Sequence, residues 1–140
     1  MAVQLATKSG SVRDRVSAAE WEARVTLAAG HRVLAHYGVN DMTYNHFALR
    51  VPDAPDRMLV KRTDEMFMEV TASSLLTCDF DGNVIDHDEF QKIRGGALII
   101  HAGLLRQRPD LNATLHTHTP NVMGVCAHKD GLLPINQNAM

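Results

Sequence analysis

The feature that most restricts the fold of this chain is a change of period at Gly38. Upstream of it, Trp21, Val25, Leu27, Ala28, His31, Leu34 and Ala35 recur at three- and four-residue spacing, which marks one apolar face of a helix. Ser17-Ala18-Ala19-Glu20 supplies a capping box at the start and Gly38 a C-cap at the end, so a helix is expected over residues 18–37. Downstream, the apolar runs shorten to strand length and alternate with Pro, Gly and Asp. Residues 44–51 and 58–60 flank a turn at 52–57 and read as a hairpin. Residues 77–80 and 83–85 flank Asp81-Gly82, a strong two-residue hairpin signal. Between the hairpins, 62–69 is a loop or helical turn and 71–75 a short capped turn; 86–91 is a polar connection. Helical spacing returns over 96–106, with Leu98, Ile99, His101, Ala102 and Leu105 on one stripe, and Arg108-Pro109-Asp110 ends it. A strand through His116, a helix over 120–127 and a strand opening at 131–135 complete the order. Residues 1–16 read as a flexible tail, leaving 17–140 as one layered α/β or α+β domain.

The chemistry concentrates in Leu115-His116-Thr117-His118-Thr119-Pro120. Alternate side chains of a strand share a face, so His116 and His118 project together, roughly 7 Å apart at Cα. Two imidazoles at that spacing can converge on one divalent cation, although a bare His-x-His is also common where nothing binds. Pro120 suits the first position of a helix with Thr119 as its N-cap. His31 and His36 read as packing or helix-surface residues.

Composition removes several classes. The net charge of -2 over 140 residues gives neither a basic field for nucleic acid nor a polybasic run for a membrane. Aromatic residues, at 5%, are too few for a base-stacking platform. Cys78 and Cys126 are expected to be buried, reduced thiols rather than a disulfide framework. No apolar run approaches the roughly 20 residues of a membrane helix, and the first residues lack a signal-peptide core. A cytoplasmic location is expected.

Taken together, several stretches resemble the class II aldolase/adducin family. They are Arg108-Pro109-Asp110-Leu111-Asn112-Ala113, Leu115-His116-Thr117-His118-Thr119, Tyr44-Asn45-His46-Phe47-Ala48-Leu49-Arg50-Val51-Pro52, Glu69-Val70-Thr71-Ala72-Ser73-Ser74-Leu75 and Asp79-Phe80-Asp81-Gly82-Asn83-Val84. The order is nearly collinear from Ala18 to Met140, and the Asn-His and Arg-Val-Pro of the first hairpin are closest to the adducin-like branch. The resemblance implies a three-layer α/β/α sandwich around a mainly antiparallel sheet. It also implies a homo-oligomer, often a tetramer, and a small-molecule substrate. In the enzymes of this family three histidines hold a divalent metal, usually zinc; manganese and iron are the other candidates here. His116 and His118 take two of those positions. Asn45 and His46, at the family's Gly-Asn of the first loop, and Gly95 and Gly96, at its phosphate-holding serines, are the implied substrate-binding positions.

The departures are as informative. The family's acid/base Glu falls at Ala97, whose methyl group carries no proton. Asp64 falls where a Gly of the second phosphate loop is expected and repels phosphate. The third histidine comes from a downstream Asn-His-Gly that these 140 residues do not include, so the chain reads as an N-terminal portion of the domain; His101 and His128 are poor replacements. The expected function is a divalent-metal-dependent lyase, of aldolase or decarboxylase type, acting on a small carbonyl substrate through an enolate. The alternatives are a non-catalytic adducin-like scaffold, favoured by Ala97, and an iron-dependent oxygenase on the same fold.

Overall fold

The computed structural model describes residues 10–86, 93, 95–135 and 137. The elements run α1 (Val12–Arg15), α2 (Ala18–His36), β1 (His46–Val51), β2 (Ala54–Val60), β3 (Leu76–Asp79), α3 (Gly95–Gln107), β4 (Ala113–His116) and α4 (Pro120–Ala127). The four strands form one sheet in the order β3-β2-β1-β4, with every neighbouring pair antiparallel. β1 distributes its side chains between two helices by simple alternation. Phe47, Leu49 and Val51 pack with Leu27 and Ala28 of α2, together with Leu59 and Leu75. Ala48 packs with Ala102 and Leu105 of α3, together with Met58, Val60 and Cys78. The result is the expected three-layer α/β/α arrangement with an antiparallel sheet in the middle.

Local chemistry explains the element ends. The Ser17 hydroxyl accepts the Glu20 N–H at 3.0 Å, and Gly38 closes α2 at φ +76°, where its N–H and that of Val39 return to Ala35 and Leu34. The second half of the expected capping box is diverted: the Glu20 carboxylate accepts instead from Arg24 at 3.0 Å and from the Thr77 hydroxyl at 2.6 Å. Thr71 and Ser74 cap each other reciprocally, each N–H 3.0 Å from the other's hydroxyl.

Several expectations are corrected. Within the supposed tail, Ser11 and Asp14 build a capping box that starts α1, and Val12 is buried; residues 1–9 lie outside the described set, as do 87–91 of the polar connection. On α2, Val25 is 48% exposed, and the buried stripe runs instead through Arg24, Leu27, Ala28, His31 and Ala35. Arg24 is accommodated there because Glu20, Thr77, Asp86 and the carbonyls of Ala72 and Leu75 accept its protons. On α3, Ile99 is 76% exposed and Ala97 takes the buried place. β2 begins four residues earlier than expected, because the register shift at Arg50 and Val51 takes Pro55 out of the ladder. The Asp81-Gly82 turn forms, but its return arm is one bridge, Cys78 with Val84. Residues 131–135 carry no strand. Cys78 is buried and its thiol is pushed up to about 12, first by burial, whereas Cys126 is exposed because α4 buries none of its residues. Among the described residues no helix is long and apolar enough to cross a membrane.

Candidate metal centre

The site lies where β1 and β4 start and finish beside each other. Antiparallel register sets His46 directly opposite His116 and Ala48 opposite Thr114. All four residues therefore share the α3 face of the sheet. From α3, His101 comes down onto them. Its Nδ1 lies 2.6 Å from Thr114 Oγ1 and its Nε2 lies 2.8 Å from His46 Nδ1. His46 in turn stacks on His116, ring centroids 4.6 Å apart with planes at 18°.

β4 ends at His116, so His118 lies two residues beyond the strand rather than within it. The expected convergence nevertheless holds: His116 Nε2 and His118 Nε2 are 2.8 Å apart, with the rings nearly perpendicular at 85°. His118 is anchored from the segment before β1. Its backbone N–H donates to Asn45 Oδ1 at 2.9 Å, and its Nδ1 lies 2.7 Å from Asp41 Oδ2. Thr119 and Pro120 then start α4 as expected, without a side-chain cap bond.

Burial favours the neutral form at two of these rings, His101 and His116. His101 is wholly buried and is lowered to about 4, first by desolvation and then by its neighbours His116 and His31. His116 is also lowered, by burial and then by His118. Neutral imidazoles present the lone pairs that a metal ion requires. Two converging imidazole nitrogens, one backed by a carboxylate on its outer nitrogen, form a donor set suited to zinc or a similar divalent cation. Among the described residues, no group of three or more His, Cys, Asp or Glu is placed to hold one ion.

The substrate-binding expectations divide. Asn45 is 1% exposed, and its Nδ2 is buried without a hydrogen-bond partner beside His118. His46, 4% exposed, is inside the cluster. Gly95 and Gly96 open α3 at its exposed end, with open space where their Cβ atoms would be. Ala97 is 2% exposed and sits one turn before His101 on the same face of α3. The position at which the resemblance implies a Glu is thus one turn from His101. Asp64 pairs with Arg62 at 3.0 Å. His128 is exposed at the end of α4, where its Nδ1 accepts the Asp130 N–H. A groove of about 530 Å³ runs along α4, lined by Pro120, Gly124, Val125, Leu132 and Leu133 among others, and none of the four clustered histidines lines it.

Sequence reasoning missed Asp41 and Thr114 and left His101 out of the cluster. The predicted α3 stripe already turned His101 toward the sheet, and strand alternation put Thr114 on the face of His116. Joining those two readings would have found the contact. Asp41 carried no such signal.

The relatives of this chain share its fold and fall in one family. The family model described as the Class II Aldolase and Adducin N-terminal domain matches residues 25–140. A protein of Caulobacter vibrioides named for the class 2 aldolases is 38% identical over 130 residues, 93% of this chain and 50% of its own length. Alpha-adducin of Rattus norvegicus is 32% identical over 118 residues, 84% of this chain and 16% of its own length. Among solved structures, an aldolase II superfamily protein from Pseudomonas syringae superimposes with a TM-score of 0.87 at 45% identity, covering 93% of this chain and 52% of that one. The chain spans about half the length of the first of these relatives, and it belongs to the class II aldolase and adducin family.

Proposed function

We propose that this chain carries the metal-binding half of a divalent-metal-dependent lyase, of aldolase or decarboxylase type, acting on a small carbonyl substrate. The observation that carries the reading is the 2.8 Å convergence of His116 Nε2 and His118 Nε2. His116 and His118 would hold the cation, with zinc the first candidate and manganese or iron the others. Such an ion supplies Lewis-acid stabilisation of the negative charge that develops on a carbonyl oxygen as an enolate forms. The protein's own groups do the rest. Asn45 offers a buried amide donor to a substrate oxygen, and the histidine at 46 is the polar group facing the substrate. His46 and His101 share one proton across their 2.8 Å contact, with Thr114 fixing the outer nitrogen of His101, so His46 would be the group able to give or take a proton where Ala97 cannot. The amides of Gly95 and Gly96 are open to an anionic group of the substrate. A homo-oligomer in the cytoplasm is the setting this reading expects.

One observation favours a second reading. Ala97 in the place of the acid/base Glu suits an adducin-like scaffold that kept the fold and lost the chemistry; an oxygenase using iron at the same histidines is the weaker third reading. Elemental analysis of the purified protein separates them. Stoichiometric zinc or manganese supports the lyase, iron supports the oxygenase, and a protein that neither carries nor takes up metal supports the scaffold.

A further inference from the structure

Three of the five residues ahead of β1 meet His118. Asp41 Oδ2 lies 2.7 Å from its Nδ1, the Tyr44 ring stacks over the imidazole at 6.4 Å with planes 21° apart, and Asn45 accepts its backbone N–H. The loop is held in an unusual shape to do this. Met42 sits at φ +43°, in the left-handed region that side chains other than glycine rarely adopt. The Tyr44 N–H donates to the Asp41 carbonyl at 2.8 Å and closes the turn. The Thr43 carbonyl accepts from the buried Lys61 ammonium at 3.1 Å, and the same ammonium holds the carbonyls of Arg62 and Glu65. Backbone strain persists where surrounding contacts over-determine it, and it gathers at functional sites.

We infer that Asp41 is a positioning residue of the metal centre, whose carboxylate holds His118 as the Nδ1–H tautomer and leaves Nε2 bare at the point shared with His116. A carboxylate only accepts, so the proton in the 2.7 Å contact belongs to His118 Nδ1. Nε2 of a neutral His118 is then an acceptor, and the proton between the two rings belongs to His116 Nε2. The effect of Asp41 on metal affinity rests on the lyase reading above; its effect on the tautomer does not. Outer carboxylates of this kind are worth about ten- to a hundredfold in metal affinity.

The test uses the metal-free 140-residue chain and two variants, Asp41→Ala and Asp41→Asn. Long-range proton–nitrogen NMR of the histidine rings reads the tautomer, and zinc titration against a chromophoric chelator reads affinity. The expected wild-type state is Nδ1–H at His118. Asp41→Ala should give mixed tautomers and bind zinc about ten- to a hundredfold more weakly. Asp41→Asn retains an accepting oxygen and should keep the wild-type tautomer and most of the affinity, which also covers an alanine variant that fails to fold. An unchanged tautomer in Asp41→Ala overturns the inference. So does a changed tautomer with zinc affinity kept within about threefold of wild type, well short of the usual loss. If wild type and His116→Ala bind zinc equally, the lyase reading falls, and the tautomer comparison still decides the role of Asp41.

Discussion

At His31 an imidazole is buried against other partners than the clustered histidines. The ring is wholly buried between Phe47 and Phe67, gives its Nδ1 to the Leu27 carbonyl at 2.8 Å, and leaves Nε2 without a partner. Burial lowers it to about 4, and the Lys61 charge adds to the effect. The unfolded chain binds the proton at its ordinary value near 6.5, so between 6.5 and 4 the unfolded state holds more protons. Stability is therefore full above about pH 6.5 and is lost as pH falls. Urea melts at pH 7 and pH 5 should show a loss of about 2 kcal/mol from this residue, and His31→Gln should lack that part of the slope. Equal slopes in the two proteins would contradict the assignment. Arg24 is a wholly buried charge. Removing it in Arg24→Met takes away the buried guanidinium that donates to Glu20, Asp86 and the carbonyls of Ala72 and Leu75, and should cost about 3–5 kcal/mol in the same melts. Ala97→Glu restores the family's carboxylate beside the histidine cluster, yet it should not confer cleavage of a sugar phosphate. Gly95 and Gly96 still lack the hydroxyls that the family resemblance implies for holding phosphate, and activity in a coupled aldolase assay would show that those hydroxyls are not needed.

Elements meet here with little slack. A Cβ at Gly30 of α2 would lie 3.0 Å from the Phe47 ring of β1. Gly→Ala inside a helix ordinarily gains about 0.5–1 kcal/mol, but here the Phe47 contact should cancel that gain, and Gly30→Val should lose about 1–3 kcal/mol in thermal or urea melts. A clear stabilisation of either variant would mean that α2 can move off the sheet. This tightness bears on what the sequence makes readable. α2, α3 and α4, the first hairpin and the convergence of His116 with His118 follow from period, caps and turns, all local signals. Arg24 on a buried stripe, Phe67 in the core and Asp41 at the histidine cluster do not, because each depends on a partner 35 or more residues away in the chain, as Asp86 is for Arg24 and His118 for Asp41. The exposed Val25, Ile99 and Cys126 fail for the opposite reason. Periodicity names an apolar residue but not the surface that covers it, and α4 meets no cover among the described residues.

At the scale of the molecule, the antiparallel sheet brings the two chain segments of the site together, with α2 and α3 closing its faces. The segment before β1 supplies Asp41 and Asn45, β1 supplies His46, β4 and the two residues after it supply His116 and His118, and α3 supplies His101. The central claim is that His116 and His118 hold one divalent cation. Catalytic zinc is ordinarily held by three protein ligands and a water, and the described residues offer no cluster of three. The most direct measurement is calorimetric titration of zinc into the wild-type chain, His116→Ala and His118→Ala. The account predicts weak binding of one zinc per chain, abolished by either substitution. Tight wild-type binding that either substitution abolishes would place a third ligand within residues 1–140, with His46 and His101 the first to mutate. Zinc binding left unchanged by both substitutions would contradict the claim.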